Sequence, residues 1–101
     1  MNIVKIPFKP YFKEPLLSGV KVCTARTKRM GAVGDRFMAF ETWFEIKSVT
    51  KEDLTFVADL WHQEGCTSRE HFIEVWNEIH STAGYRPAQQ VFLHRFKKVT
   101  R

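Results

Sequence analysis

The sequence predicts an α+β fold: a small, mostly antiparallel β-barrel with a short early helix and two later helices packed on it. Three observations predict it. Strand-like alternation dominates both ends of the chain. Helical periodicity is confined to residues 50–80. The resulting order, β, turn, β, β, β, α, α, β, lacks the strand–helix–strand alternation of a parallel sheet. With 101 residues, 44% of them hydrophobic and 14% aromatic, the chain suits a single globular domain spanning 1–101.

The first strand is Asn2 to Ile6, where apolar and polar residues alternate. Pro7 and Pro10 close it, since neither can donate to a central ladder. Phe8, Tyr11 and Phe12 follow, either as cover for the open end of the core or as a platform on which a base stacks. Pro15 suits a first helical turn and Gly19 suits the left-handed residue past its end, so Glu14 to Ser18 reads as a one-turn helix. Val20 to Arg26 is the next strand, and the period of two puts Thr24 and Arg26 on one face. Lys21 would fall on the opposite face of a regular strand. It meets Thr24 only from a turn or beside a bulge, and the nearby Gly19 favours the turn. Thr27 to Val33 is a loop carrying Lys28 and Arg29, and Gly34-Asp35 is a turn signal. Arg36 to Phe40 and Trp43 to Val49 read as two strands joined around Glu41-Thr42, or as one long bent strand.

Thr50, with Asp53 three residues on, opens the first late helix, with apolar Leu54, Val57, Ala58 and Trp61. Gly65 ends it. Glu64 then sits at the C-terminal edge, where the helix dipole disfavours a carboxylate. The misfit marks either a surface accident or a residue kept for another purpose. Thr67-Ser68-Arg69-Glu70 is a capping box that opens the second helix, whose inward stripe is Phe72, Val75, Trp76 and Ile79. Ser81 to Pro87 is a loop. Gln89 to Thr100 is the last strand, with Val91, Leu93 and Val99 on one face and Phe92, His94, Phe96 and Lys98 on the other.

Charge is unevenly placed. Residues 51–80 hold seven acids against two bases, a net of −5, which leaves +10 on the rest of a chain whose total is +5. A basic sheet beside acidic helices suits a surface that meets phosphates, and it also serves ordinary solubility. No apolar run approaches the roughly 18 residues of a membrane span, and the first residues lack a signal-peptide pattern. Cys23 and Cys66 are too few for a disulfide framework, so a cytoplasmic protein with reduced thiols is expected. Nothing in the pattern sets an oligomeric state, and a monomer is the expectation.

Cys23, His62, Cys66 and His94 contain no Cys-x-x-Cys pair, and only His62 and Cys66 have ligand-like spacing. Neither a metal nor another cofactor is expected. Walker, dinucleotide-binding and nucleophile-elbow patterns are missing. By alternation Cys23 faces away from Thr24 and Arg26, which favours a buried thiol over a nucleophile. Lys21, Thr24, Arg26 and a distant carboxylate remain. A threonine hydroxyl is a poor nucleophile until a base takes its proton. A lysine is that base only when burial or a neighbouring cation makes it give up its own, and Arg26 is such a neighbour. Alone, a surface lysine three residues before a β-favouring threonine would look the same.

Leu17-Ser18-Gly19-Val20-Lys21-Val22-Cys23-Thr24-Ala25-Arg26, followed by Gly34-Asp35, resembles the signature of the ASCH domain. That signature is Gly-x-Lys-x-x-Thr-x-Arg after a short helix, then a Gly-Asp turn. The family is similar to the PUA domains of RNA-modifying proteins. The resemblance implies a PUA-like β-barrel, a cleft lined by the motif, and RNA or a modified nucleoside as partner. One branch of the family consists of small amidohydrolases that remove the acetyl group of N4-acetylcytidine. By that resemblance Lys21 is the proton acceptor and Thr24 the nucleophile. Glu64, in the Gln63-Glu64 segment before the Thr67 helix, is the proton donor. Arg26 would hold the pyrimidine carbonyl or the oxyanion, and Tyr11 or Phe12 would stack on the base. A non-catalytic RNA-binding module, meeting phosphates through Lys28, Arg29, Arg36 and Lys98, is the alternative. A ribonuclease using the same cleft is a third reading.

Overall fold

The computed structural model describes residues 1–100. Four strands form one antiparallel sheet, in the order β1 (Cys23–Arg26), β4 (Gln90–Val99), β3 (Thr42–Asp53), β2 (Arg36–Ala39). The two long strands lie in the middle, and the sheet curls into a half-barrel. The curl has a local cause. The β3–β4 register slips between Ile46 and Ser48, and such a bulge bends the strand and raises its twist.

The β2–β3 hairpin turns on Phe40 and Glu41, one residue earlier than the expected join. Both have positive φ, 51° and 62°, as a two-residue turn of this hand requires, although neither is glycine or asparagine. β3 then runs on to Asp53, well past Val49. Thr50 is thereby drawn into the ladder opposite Leu93 and cannot cap a helix. Helix α2 (Leu54–Asp59) starts at an Asp53 whose side chain makes no cap bond and instead accepts from the Gln90 amide. α2 ends before Gly65, and residues 60–65 continue as turns, with the Glu64 N–H donating to the Leu60 carbonyl at 3.0 Å.

Two other expectations shift. Asn2 to Ile6 is not a strand: only Ile3 bridges Arg36, in parallel sense, before the chain turns away towards Pro7 and tucks Ile6 into the core. The cap of α3 (Arg69–Ile79) is Ser68, whose hydroxyl accepts from the His71 N–H at 3.0 Å. The Thr67–Glu70 box therefore does not form, and Ile79, at the frayed end, is 47% exposed. The early helix is as expected. A 3-10 turn (Pro10–Phe12) leads into α1 (Lys13–Ser18), and Gly19 ends it at φ 86°.

Inside the curl, Phe37, Phe44 and Phe96 form a ring cluster with centroids 5.3–5.4 Å apart. Leu93 and His94, neighbours on β4 and so on opposite faces, are both fully buried, so the strand is covered on both sides there. Among the described residues no helix is long and apolar enough to cross a membrane.

Candidate active site

The site begins where α1 stops. Past Gly19 the Lys21 N–H donates to the Pro15 carbonyl and the Val22 N–H to the Gln63 carbonyl, each at 2.9 Å. Lys21 thus sits in the turn ahead of β1, on the path that the turn reading required. Its side chain is only 2% exposed. The ammonium donates to the Glu64 carbonyl at 2.7 Å and to Glu64 Oε1 at 3.2 Å, and it lies 4.5 Å from the Phe12 ring centre. Glu64 is itself buried, and its Oε2 accepts from the Cys23 thiol at 3.5 Å. The carboxylate at the end of the helical turns is therefore held for the lysine, which resolves the dipole misfit.

Burial, with Glu64 adding to it, pushes the Cys23 thiol far above the ordinary thiol range. Cys66 is pushed up to about 11 by burial. Neither is a nucleophile near neutrality. Cys23 instead completes the environment of Glu64.

Thr24 is buried on β1, and its Oγ1 accepts from Arg26 Nε at 3.1 Å. The same guanidinium donates through Nη2 to the Pro7 carbonyl at 2.6 Å and lies 5.0 Å from the Phe8 ring centre. No carboxylate pairs with it among the described residues. Burial lowers its pKa from the usual value, opposed by Glu64. Arg26 is thus a fixed, partly desolvated cation beside the threonine hydroxyl, which suits it to developing negative charge.

These groups line one cavity of about 530 Å³. Lys21, Thr24, Arg26, Glu64, Phe8 and Phe12 form one side. Phe72, Val75, Trp76 and His80 of α3 form the other, with Trp76 and His80 stacked at 4.0 Å. Lys9 and Lys28, both exposed, stand on the rim. Sequence reasoning missed Lys9 and the α3 wall, because Trp76 has the spacing of a core residue.

Other candidates lie elsewhere. Tyr11 is 45% exposed and borders a separate groove with Glu74 and Glu78. Phe12 lines the cavity, so Tyr11 does not share its place. Arg36 is on the far edge of the sheet from β1 and is paired with Glu45 at 3.2 Å. Lys98 donates to the Leu17 carbonyl at 2.6 Å, where it caps α1. Arg29 is exposed on the loop but does not line the cavity. Among the described residues no group of three or more His, Cys, Asp or Glu could hold a metal ion.

Gly65 ties the turn to the lysine. At φ 83°, a Cβ there would stand 3.0 Å from both Lys21 Cβ and Pro15 Cβ. Gly65→Ala is expected to cost about 1–3 kcal/mol through backbone strain and displacement of Lys21. A denaturant midpoint measures that loss, and an unchanged midpoint would contradict it.

No family model matches the chain and no curated protein does. Solved structures do. The ASCH domain from Lactobacillus crispatus JV V101 superposes with a TM-score of 0.66 at 18% identity, over 96% of this chain and 78% of that one. The hypothetical protein PH0355 superposes with a TM-score of 0.74 at 13% identity, over 98% of this chain and 100% of that one. Superposition along nearly its whole length, with a half-barrel sheet and helices that match the α+β class the sequence predicts, gives this chain the fold of an ASCH domain.

Proposed function

We propose that the protein is an amidohydrolase that removes the acyl group of N4-acetylcytidine-type substrates. One observation carries the reading: Glu64, 43 residues from Lys21 in the chain, is buried with Lys21 and Thr24 in the wall of a single cavity, with Arg26 beside them. Lys21 takes the Thr24 hydroxyl proton as Oγ1 bonds to the acyl carbon. To act so it must first be a free amine, and the proton it sheds has an acceptor in Glu64 at 3.2 Å. Arg26 meets the oxyanion. When the C–N4 bond breaks, Glu64 gives its proton to the departing N4. Water then hydrolyses the acyl-threonine and regenerates the hydroxyl. Phe8 and Phe12 offer the pyrimidine an aromatic wall.

The expected result is conversion of N4-acetylcytidine to cytidine, followed by the change in ultraviolet absorbance. A second reading, an RNA-binding module, is supported by Lys9, Lys28 and Arg26, which give the cavity mouth positive charge with no carboxylate partner among the described residues. No turnover at high protein concentration, together with salt-sensitive binding of single-stranded RNA, would replace the first reading with the second.

A further inference from the structure

His94 stands apart from the groups discussed so far. It is fully buried on β4, paired directly with Thr24 of β1 and with Val49 of β3. Its Nε2 lies 2.9 Å from the Met30 backbone nitrogen, and its Nδ1 lies 3.3 Å from the Thr24 carbonyl oxygen. A backbone N–H can only donate, so Nε2 must be bare. The ring proton is then on Nδ1, donating to Thr24. One neutral imidazole therefore joins two segments that line the cavity.

The loop it holds has two halves. Ala32 is anchored independently, its N–H donating to Asp35 Oδ2 at 2.9 Å. Gly31 is wedged beside Ile46, whose Cδ1 would be 2.8 Å from an added Cβ. Residues 27–29 are exposed, and Met30 fastens their end of the loop through this N–H contact together with a side chain packed against the core.

We propose that His94 is a positioning residue that, in its neutral form, docks residues 27–30 against the cavity and fixes the Thr24 peptide, and that acid releases this half of the loop. A proton on Nε2 would face the Met30 N–H donor against donor. The charged groups around the ring are Arg26 from β1 and Arg29 from the loop, both cationic, while β3 presents Val49. Burial lowers the imidazole pKa, the two arginines add to this, and the Thr24 and Phe92 carbonyls oppose it. The folded state thus binds the proton less readily than the unfolded chain. The contribution of His94 is complete above the unfolded value of about 6.5 and is lost as the pH falls through the lower folded value.

Amide hydrogen exchange of Met30 and Ala32 by NMR tests this in the wild-type protein. Between about pH 7.5 and 5.5, corrected for intrinsic rates, Met30 protection is expected to fall by up to about tenfold while Ala32 keeps its own. Imidazole nitrogen shifts should show the Nδ1–H tautomer at neutral pH. His94→Gln, which can still donate and accept, should flatten the Met30 response. Constant Met30 protection, loss of both amides together, or an Nε2–H tautomer would each overturn the proposal. These readouts need no turnover, so a protein that fails to hydrolyse N4-acetylcytidine would sink the hydrolase reading alone.

Discussion

Thr24→Ala is expected to lower the turnover of N4-acetylcytidine by on the order of 10⁴-fold or more, with the fold intact. The residue is buried, but its hydroxyl contributes to packing only through the Arg26 Nε contact at 3.1 Å. Removing the oxygen leaves that donor facing the cavity and its ligands, not an apolar interior. The stability cost is therefore small beside the kinetic one. Thr24→Ser separates a nucleophile from a mere support for Arg26. A serine hydroxyl can still attack, so part of the activity should return. If Thr24→Ala retained wild-type turnover, the acyl-enzyme route would be wrong, whatever role Lys21 had.

The second large effect is thermodynamic. Lys21→Met leaves a buried Glu64 carboxylate with only the weak Cys23 thiol donor. Breaking a buried ion pair from one side costs about 3–5 kcal/mol, which for a domain of this size lowers Tm by roughly 15–30 °C. The double variant Lys21→Met, Glu64→Gln should recover most of the loss, since neither charge then remains to be paired. Additive single and double effects in thermal melts would mean that the 3.2 Å contact carries no coupling. Both partners are buried, so the contact between them is shielded from water.

The sequence made the frame legible because period and punctuation agreed with the final structure. Gly19 ends α1 with the left-handed φ expected of it, and the last strand lies within a residue of its expected limits at each end. The Gly-x-Lys-x-x-Thr-x-Arg run located Lys21, Thr24 and Arg26, and the turn at Gly19 explained how a lysine out of strand phase reaches the site. The losses are also specific. Thr50 looked like a cap because its local sequence allows one, but pairing with β4 extends β3 past it. Tyr11 and Phe12 are adjacent and similar in sequence, yet only tertiary packing decides which faces the cavity. Arg36 and Lys98 added to a basic total, but their charges are committed to Glu45 and Leu17. His94 drew notice only as a discarded metal ligand and as one residue of an alternating strand. Its value comes from two backbone groups, and a sequence does not display where those will be.

The Lys21–Glu64 contact joins residues 43 apart in the chain, and the His94–Thr24 contact joins residues 70 apart. The β2–β3 hairpin, by contrast, closes over two residues. Long loops close late in conformational search, after local pairings have formed. The cavity wall is therefore expected among the last features to mature during biogenesis. An emerging chain would hold this hairpin before the Lys21–Glu64 and His94–Thr24 contacts closed, and the His94–Thr24 contact could not form until β4 had left the ribosome. Activity regained on dilution from denaturant would then lag behind the far-ultraviolet signal of the strands, making the assay a clock for the final closure of the molecule.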